Sequence, residues 1–536
     1  MSKEVIRLNQ MGYRPQDRKI ATFRCDGEYL IIDSKTMETV YKGTASKIFL
    51  NDKNSGEDVY VFDFSDFTQE GSYRLEVAHL CRSAIFTISK HPYRDVNRGM
   101  LKALYYQRCG MELTPEYAGV FAHKICHHDR ALDLQTHTFR EVSGGWHDAG
   151  DYGRYVNAGI NAVAMLDMAY ELTPHSLNIS FDVPNDSANL PDVLNEIKYE
   201  MDFFLKLTNS DGGVNHKVTT WSFGGAVMPE NDVGELVICE CSMEATATFT
   251  AGALMTARVF EPFDPQYAQT LREAAFKAFD WVEKHPDYPG FKNPKNLFTG
   301  EYGDTDLRDE VLWATVAMYR ETGNDEYAQR AIRIIEANPT LDLVNLTCCC
   351  VGGFSAYEVF SMENPNQQLY DLYKAAFIKR CDEFISIASQ EGFGVPLEYK
   401  DYTWGSNVTL LYRAVALILG YKYFGNKTYE EVALRSLGYI FGENPTGFSY
   451  VTGFGAFPYN YPHHRPSDSD GVEQAIPGLV SGGPNVFKND TFLEKFLAPD
   501  TPPAKCFIDD AASYSGNEIT VYWNTAAVFL AAWFDD

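Results

Sequence analysis

The 536-residue chain is poor in positive charge and lacks long apolar runs. It carries 46 Lys and Arg residues against 73 Asp and Glu residues, so its formal net charge is −27 at pH 7. Nucleic acids and anionic membrane surfaces repel a polyanion of this kind, and we expect neither as a partner. No uninterrupted apolar run reaches the roughly 18 residues that a membrane-spanning helix needs. A neutral or cationic substrate fits the charge better.

The sequence also lacks a secretory leader and a disulfide framework. Its first 15 residues contain no apolar segment of the signal-peptide kind, so we expect a cytoplasmic protein; a secreted chain whose leader had been removed would present the same sequence. The 11 cysteines are odd in number and include the consecutive Cys348, Cys349 and Cys350. Such cysteines are commoner where thiols stay reduced, which also favours the cytoplasm.

Length and composition indicate more than one core. The chain exceeds the size at which single cores stop growing, and 45% of its residues are hydrophobic. Short segments alternate or are β-branched at residues 19–23, 29–32, 59–64, 71–77 and 83–89. About seven strands in this length predict a small all-β, immunoglobulin-like sandwich, and we expect it to occupy residues 1–90.

From residue 91 the hydrophobic period becomes that of helices. Helical spacing covers residues 93–109, 148–172, 190–207, 241–260, 265–285, 307–322, 324–338, 353–362, 367–389, 406–424, 427–442 and 517–534. Helices in such number without alternating strands predict a toroid of helical hairpins over residues 91–536. The long connections at 119–147, 208–240 and 444–509 are of a length that is usually functional, and we expect them to gather at one mouth of the toroid.

One of these connections leads into a pair of carboxylates. Residues 143–155, SGGWHDAGDYGRY, place Asp148 and Asp151 three positions apart among small residues. The apolar spacing that follows predicts a helix that begins at Asp148, with both carboxylates on one face. For an isolated pair, the ordinary interpretation is a helix N-cap with a second first-turn acid.

Two C-terminal segments change that interpretation. Residues 444–465 end in PHHR, and residues 507–525, FIDDAASYSGNEITVYWNT, hold Asp509 and Glu518 nine positions apart. Taken singly, Glu518 is typical of a helix N-terminus, and the basic residues at 463–465 are typical of a solvated surface. Three polar segments of this kind, far apart in sequence and all beside predicted helices, indicate a shared site.

Together the three segments resemble glycoside hydrolase family 9, and the resemblance covers essentially the whole chain. One family signature is met by Ser449, Val451, Thr452, Pro462, His463 and Arg465, with a spacer that differs slightly from the commonest form. The other is met without a gap by Phe507, Asp509, Tyr514, Glu518, Thr520, Asn524 and Thr525. The resemblance implies a mainly α fold, in which an (α/α)6-barrel catalytic domain follows the immunoglobulin-like domain.

The resemblance also implies an activity and its catalytic groups. The expected reaction is inverting hydrolysis of β-1,4-glucosidic bonds in cellulose-type glucans, mixed-linkage β-glucans or cellodextrins. Such hydrolysis needs an acid to protonate the leaving oxygen and a carboxylate to handle water on the other face of the sugar. Glu518 would be the acid, Asp151 the base and Asp148 a second carboxylate that helps to hold the water.

Substrate contacts are implied in the same way. His463 and Arg465 would donate hydrogen bonds to sugar hydroxyls, and Asp509 would orient the acid or a donor beside it. Aromatic rings are needed for the apolar faces of the sugars. The candidates are Trp404, Tyr514, Trp313 and Trp221. Trp404 and Tyr514 lie in motif-like segments, whereas Trp313 lies in a predicted helix, where a core role is at least as well supported.

A metal site is indicated by thiols and imidazoles that lie close together in the sequence. The candidate ligands are Cys109, Cys126, His127 and His147, with His128 and His137 competing for the fourth place. Zinc takes two thiolates and two imidazoles tetrahedrally, and a closed four-ligand site is structural. The resemblance implies the same zinc. Calcium is expected from the acidic surplus and from the family, for example near residues 304–310, without named ligands.

Two other functions remain open. An exo-acting β-glucosaminidase of the same family would suit the acidic chain, because an amino sugar is a cation. A non-catalytic carbohydrate-binding protein on the same fold is disfavoured, because the acids that hydrolysis needs are all present. In either case we expect a monomer.

Overall fold

The computed structural model of the protein describes residues 6–77, 81–185, 187 and 189–536. The strands of the N-terminal part are β1 (Ile6–Leu8), β2 (Ile20–Phe23), β3 (Tyr29–Asp33), β4 (Thr39–Gly43), β5 (Lys47–Asp52), β6 (Glu57–Asp63), β7 (Gly71–Val77), β8 (Cys81–Arg82) and β9 (Phe86–Ile88). They pair antiparallel in two sheets, ordered β1-β2-β6-β5 and β4-β3-β7-β8, and β9 also pairs with β7. The predicted sandwich is confirmed.

Aromatic side chains fill the space between the two sheets. Phe23 from one sheet stacks on Tyr29 from the other with ring centroids 4.0 Å apart, and Phe62 lies 5.2 Å from Tyr29. These residues alternate with outward-facing ones along their strands, because successive side chains of a strand point to opposite faces. Large aromatic rings thus make up much of the buried core of this domain.

Helices are the main secondary structure of the remaining chain. They are α1 (Arg94–Tyr106), α2 (Pro115–Ala118), α3 (Val156–Leu172), α4 (Pro174–Leu177), α5 (Asp192–Leu207), α6 (Met243–Phe260), α7 (Pro265–Lys284), α8 (Arg308–Thr322), α9 (Asp325–Ala337), α10 (Gly352–Phe360), α11 (Gln367–Ala388), α12 (Ser406–Phe424), α13 (Lys427–Ile440), α14 (Arg465–Ser469), α15 (Thr491–Phe496), α16 (Tyr514–Asn517) and α17 (Val521–Trp533). Each helix predicted from the sequence is present, most of them within three residues of the predicted ends. The exceptions are the starts of α3 and α17.

The long helices alternate between an inner and an outer ring. α3, α6, α8, α10, α12 and α17 each pack against the next, and α17 closes the ring on α3. These inner helices are buried on almost every side, as α3 is from Val156 to Tyr170, and all of them except the more charged α8 are mainly apolar. Outer helices bury one stripe; in α9 it consists of Ala328, Ala331, Ile332 and Ile335. The fold is therefore an (α/α)6 barrel behind a β-sandwich.

The long connections build a small sheet and a wall of loops at one end of the barrel. Strands β10 (Ala131–Asp133), β11 (Phe139–Arg140), β12 (Arg154–Tyr155), β13 (Lys217–Thr220) and β14 (Leu236–Ile238) form a sheet in the order β11-β10-β14-β13-β12. This sheet joins the 107–155 connection to the 208–242 connection. Among the described residues, no helix is both long enough and apolar enough to cross a bilayer.

The sandwich contacts the loops that carry the C-terminal motifs. Gln10 donates its backbone N–H to the carbonyl of Phe441 at 2.9 Å, and its side-chain oxygen accepts from the N–H of Phe457 at 2.9 Å. Asp52 in β5 accepts from the N–H of Gly392 at 2.8 Å. The first domain therefore braces the segments that lead to His463 and to Trp404.

Candidate active site and metal cluster

A cleft of about 670 Å³ opens among the long connections at one end of the barrel. Of the residues predicted from the sequence, it is lined by Asp151, Glu518, His463, Arg465, Trp404 and Tyr514. These side chains come from four segments that are up to 367 positions apart, since Asp151 and Glu518 lie near the two ends of the barrel sequence. The expectation that the loops converge at one mouth is confirmed.

Backbone contacts hold the three segments side by side. Arg465 donates its N–H to the carbonyl of Gly150 at 3.1 Å, Val521 donates to the carbonyl of Asp148 at 2.8 Å, and His463 donates to Asn517 at 2.9 Å. A Cβ at Gly150 would lie 2.0 Å from the carbonyl oxygen of His463, so only glycine allows this approach.

The predicted helix start at Asp148 is wrong. Residues 148–153 form a turn in which the Asp148 N–H donates to the carbonyl of Gly153 at 2.9 Å, and α3 begins only at Val156. The backbone N–H and C=O groups of this turn pair with the C-terminal motif instead of with a helix. The apolar pattern predicted helix α3 itself correctly. It could not show where the helix begins, because the hydrogen-bond partners of the preceding turn lie more than 300 residues away.

The two aspartates of the turn have different environments. Asp151 accepts hydrogen bonds at Oδ2 from the N–H of Gly153 at 3.0 Å and from the hydroxyl of Tyr155 at 3.5 Å. Asp148 is buried and accepts at Oδ2 from the hydroxyl of Tyr302 at 2.6 Å, while its Oδ1 has no hydrogen-bond partner in the protein. The pKa of Asp148 is raised to about 8, mainly by burial and also by the charge of Asp151, while the hydrogen bond from Tyr302 opposes the increase.

Glu518 faces the cleft and is surrounded by protein. Its Oε2 accepts from the indole N–H of Trp404 at 2.9 Å. Desolvation and the neighbouring charges of Asp151 and Asp148 together raise the pKa of Glu518 to about 8, against the opposing hydrogen bond from Trp404. A carboxyl group in such surroundings keeps its proton at neutral pH and can donate it.

The basic residues of the PHHR segment are positioned by backbone carbonyls. His463 Nδ1 lies 2.8 Å from the carbonyl oxygen of Ala511, so Nδ1 carries the hydrogen and donates it. Burial lowers the pKa of His463 despite this bond, so the ring is neutral and Nε2 is an acceptor. Arg465 donates from Nε to the carbonyl of Gly224 at 3.2 Å, and its guanidinium lies 5.4 Å from the centre of the Phe223 ring.

Asp509 acts on the backbone of the same segment. Its carboxylate accepts from the N–H of Asn460 at 2.9 Å and from the N–H of Tyr461 at 2.9 Å. It therefore fixes the chain immediately before His463. The hydrogen bonds of Asp509 thus hold the backbone of the segment that carries His463.

The four predicted metal ligands lie in one group behind the cleft. Cys109, Cys126, His127 and His147 are all buried, and their ligand atoms lie within 4.8 Å of one another. His147 Nε2 is 3.3 Å from His127 Nδ1 and 4.0 Å from the sulfur of Cys126. The competing residues His128 and His137 are exposed.

The surroundings of this group suit a cation. Burial opposes ionisation of the Cys109 thiol, but contacts with Cys126, Arg154 and the two histidines lower its pKa well below the usual value. His127 Nε2 lies 3.4 Å from a carboxylate oxygen of Asp232, the kind of second partner that orients a ligating imidazole. The donor set is that of a closed, tetrahedral site.

Comparison with known proteins decides the family. The chain matches the profile of Glycosyl hydrolase family 9 over residues 93–531, and the profile of the Cellulase N-terminal ig-like domain over residues 1–81. The chain belongs to glycosyl hydrolase family 9. It is therefore a glycoside hydrolase, and its substrate is a carbohydrate.

Full-length relatives of this family 9 enzyme have related activities. The chain is 34% identical to the cellodextrinase of Butyrivibrio fibrisolvens, over 98% of both chains. It is 34% identical to endoglucanase D of Acetivibrio thermocellus, over 99% of this chain and 83% of the relative. Its fold matches the crystal structure of a single mutant of the thermostable endoglucanase from Alicyclobacillus acidocaldarius with a TM-score of 0.93, at 34% identity and over 99% of both chains.

Of the four aromatic residues predicted to contact substrate in this family 9 enzyme, two line the cleft and two do not. Trp404 and Tyr514 line the cleft with ring centroids 5.2 Å apart. Trp313 is 0% exposed and stacks on Phe354 at 5.0 Å, so its predicted contact with substrate is wrong; it is a core residue of an inner helix. Trp221 lies outside the cleft lining, packs with Phe291 and Leu297, and donates to Glu235.

Sequence reasoning missed several residues of the cleft. These are Tyr155, Phe223, Tyr302, Cys348, Cys349, Tyr522 and Trp523. Tyr302 is the most informative, because its hydroxyl donates to Asp148 from a loop 154 positions away. No motif near Tyr302 in the sequence indicates a functional role, whereas Tyr522 and Trp523 lie inside the second signature and could have been found from it.

Proposed function

We propose that this family 9 enzyme hydrolyses β-1,4-glucosidic bonds of glucans and cellodextrins with inversion of configuration. Glu518 is the general acid, Asp151 is the general base, and Asp148 helps to hold the attacking water. The observation that supports this most directly is the placement of a carboxyl group of raised pKa, Glu518, in the same cleft as the hydrogen-bonded Asp151. A protonated acid and a separate base are what the inverting reaction requires.

Asp151 and Asp148 have different roles toward the attacking water molecule. Asp151 uses Oδ2 for its hydrogen bonds from Gly153 and Tyr155, which leaves Oδ1 for a proton-accepting role. Asp148 is anchored by Tyr302, and its Oδ1 has a free hydrogen-bonding capacity. Two carboxyl groups from one turn can therefore orient one water against the anomeric carbon.

The other cleft residues bind sugar. Trp404 and Tyr514 offer rings to the apolar faces of glucosyl units, and Arg465 offers its remaining N–H groups to hydroxyls. His463, neutral and fixed by Ala511, accepts a hydrogen bond from a sugar hydroxyl at Nε2, rather than donating one as the sequence had led us to expect. Asp509 is a positioning residue for this segment.

The test is the stereochemistry and the product pattern of hydrolysis. NMR of the first product released from a β-linked cellooligosaccharide should show the α-anomer, and first release of the β-anomer would exclude inversion. Cellopentaose, carboxymethyl cellulose, barley β-glucan and chitosan oligosaccharides should be compared in parallel. Preference for chitosan oligosaccharides would favour the glucosaminidase alternative, and binding without cleavage would favour the non-catalytic one.

The metal at the Cys109, Cys126, His127 and His147 group is zinc in this proposal. Two thiolates and two imidazoles are its preferred ligands, and four protein ligands make the site structural. When bound, zinc would tie the 107–147 connection together beside Asp148. Metal analysis of the purified protein should find about one zinc per chain.

Calcium belongs to the same proposal, at a buried acidic group around the first turn of α8. Both carboxyl oxygens of Glu310 are buried without a hydrogen-bond partner in the protein, and Glu244 and Asp304 each have one such oxygen. Buried carboxyl groups without partners are costly unless a proton or a cation neutralises them. Added Ca²⁺ should raise the melting temperature of the protein and should do so less for Glu310→Gln.

Two further expectations remain proposals. The domain boundary lies near residue 90, between β9, which ends at Ile88, and α1, which begins at Arg94. The protein is a monomer, which light scattering of the purified chain would check.

A further inference from the structure

Two cysteines lie on the wall of the catalytic cleft. The chain makes a tight turn at residues 347–350, in which the N–H of Cys350 donates to the carbonyl of Thr347 at 3.2 Å. Cys348 and Cys349 occupy the two central positions of this turn, and both line the cleft. Neither has a place in the hydrolytic mechanism proposed above.

The two thiols differ in exposure and lie close together. Cys348 is 8% exposed and packs among Tyr155, Tyr302 and Tyr522, whereas Cys349 is exposed to the cleft. Their sulfur atoms are 3.8 Å apart. A ligand that reaches Cys349 from the cleft therefore meets the second sulfur directly behind it.

The separation of the sulfurs suits a shared cation better than a disulfide. Two thiolates on one tetrahedral ion, with metal–sulfur distances of about 2.3 Å, lie about 3.8 Å apart. A disulfide needs a sulfur separation of about 2.05 Å and Cα atoms usually at least about 4.4 Å apart. Neighbouring residues have Cα atoms about 3.8 Å apart, so a bond between Cys348 and Cys349 would be strained.

The charge of the protein favours cations. Asp151 lines the cleft, and the whole chain has a formal net charge of −27 at pH 7. A strongly negative protein raises the concentration of cations near its surface. Among cations, thiolate ligands select soft metal ions over Mg²⁺ or Ca²⁺.

We propose that Cys348 and Cys349 form a binding site for a soft, thiophilic divalent cation, separate from the Cys109 group, and that its occupation inhibits hydrolysis. Binding forms two metal–sulfur bonds and releases two protons, and no oxidant is needed. The ion would stand on the cleft wall beside Tyr302, the residue that anchors Asp148. Two protein ligands leave the ion open to exchange, so inhibition is reversible by a chelator.

Cd²⁺ is the probe, because it prefers thiolates and its thiolate complexes absorb in the ultraviolet. The reduced, metal-loaded enzyme is titrated with Cd²⁺ while the thiolate-to-cadmium absorption and the hydrolysis of cellotetraose are followed in parallel. We expect both signals to change together and to return on addition of a chelator. Cys349→Ser should need at least about tenfold more Cd²⁺ than the wild type to change either signal. The activity of the variant is expressed relative to its own activity without metal.

Cys350→Ser is the matched control, because Cys350 belongs to the same turn but not to the cleft lining. It should respond to Cd²⁺ as the wild type does. Equal sensitivity of Cys349→Ser and wild type would overturn the proposal and place any inhibition at the Cys109 group or at the carboxylates. Loss of Cd²⁺ sensitivity in Cys350→Ser would also overturn the proposal, because inhibition would then depend on the conformation of the turn and not on the thiols of Cys348 and Cys349.

A second measurement needs no variant and no activity. Iodoacetamide should alkylate Cys349 in the folded wild-type protein, and Cd²⁺ should slow this reaction about tenfold or more. Mass spectrometry of the peptide that contains residue 349 gives the rate. An unchanged rate of alkylation in the presence of Cd²⁺ would exclude the site, whether or not the protein hydrolyses glucans.

Discussion

Replacing Trp404 by Phe removes the indole N–H that donates to Glu518 Oε2 at 2.9 Å and leaves an aromatic ring in the cleft. This hydrogen bond stabilises the ionised form of Glu518, so it holds the pKa below the value that burial and the two aspartates would otherwise impose. Its loss should raise the pKa of Glu518. The proton of Glu518 is needed for catalysis, so the protonated, active form should persist to higher pH.

The size of the shift follows from the strength of the bond. A hydrogen bond to a charged group contributes about 1.5–3 kcal/mol, and one pKa unit corresponds to about 1.4 kcal/mol. Trp404 is 44% exposed, so water screens the interaction and replaces part of it. We therefore expect an increase of about 0.5–1 unit, which is smaller than the full strength of the bond would give.

The assay is the pH dependence of kcat/KM on cellotetraose, because this quantity reports groups of the free enzyme. The wild-type profile should fall on its alkaline side near the Glu518 pKa of about 8. In Trp404→Phe that limb should move to higher pH. Tyr514→Phe is the control, because the Tyr514 hydroxyl donates to the carbonyl of Asn489 and not to Glu518; this variant should keep the wild-type limb.

A shift of the alkaline limb to lower pH in Trp404→Phe would refute the reasoning, because it would mean that the indole N–H favours the protonated acid. An unshifted limb together with a lower kcat would show that Trp404 acts only on the sugar. A shift of equal size in Tyr514→Phe would assign the effect to general changes in the cleft.

Other substitutions test the remaining assignments. Glu518→Gln should lower kcat on cellotetraose by about 10²-fold or more, and near-normal turnover would remove Glu518 from the mechanism. Asp151→Asn should abolish hydrolysis, and azide should not restore it with a retained product, since inversion forms no glycosyl-enzyme. Cys126→Ser should lose zinc and lower both the melting temperature and the activity; a zinc-free native protein that melts like the zinc-loaded one would disprove the structural site. Trp313→Ala should destabilise the barrel by about 3–5 kcal/mol, seen as a lower melting temperature, without changing KM for cellotetraose, whereas a raised KM at unchanged stability would return Trp313 to the cleft.

Much of this architecture can be predicted from local patterns of the sequence. The helical period of the inner and outer helices and the alternation of strands such as β7 depend on neighbours a few positions away, so a single sequence shows them. The two C-terminal signatures and the SGGWHDAGDYGRY segment likewise identify Glu518 and Asp151 as candidate catalytic residues from the sequence alone. The Cys109, Cys126, His127 and His147 set was also within reach, because these ligands lie within 39 positions of one another.

Tertiary structure alone decided how these residues are used. The turn at Asp148–Gly153 pairs with backbone groups near residues 465 and 521, so a helix period could not reveal where α3 begins. Tyr302 reaches Asp148, and Trp404 reaches Glu518, across loops whose paths depend on packing. Trp313 and Trp404 were both candidates for contact with sugar, yet Trp313 packs against Phe354 in the core and Trp404 faces the cleft. Sequence fixes local period and residue chemistry, but burial and the partners of a side chain are set by contacts between distant segments, and these determine pKa, solvent access and function.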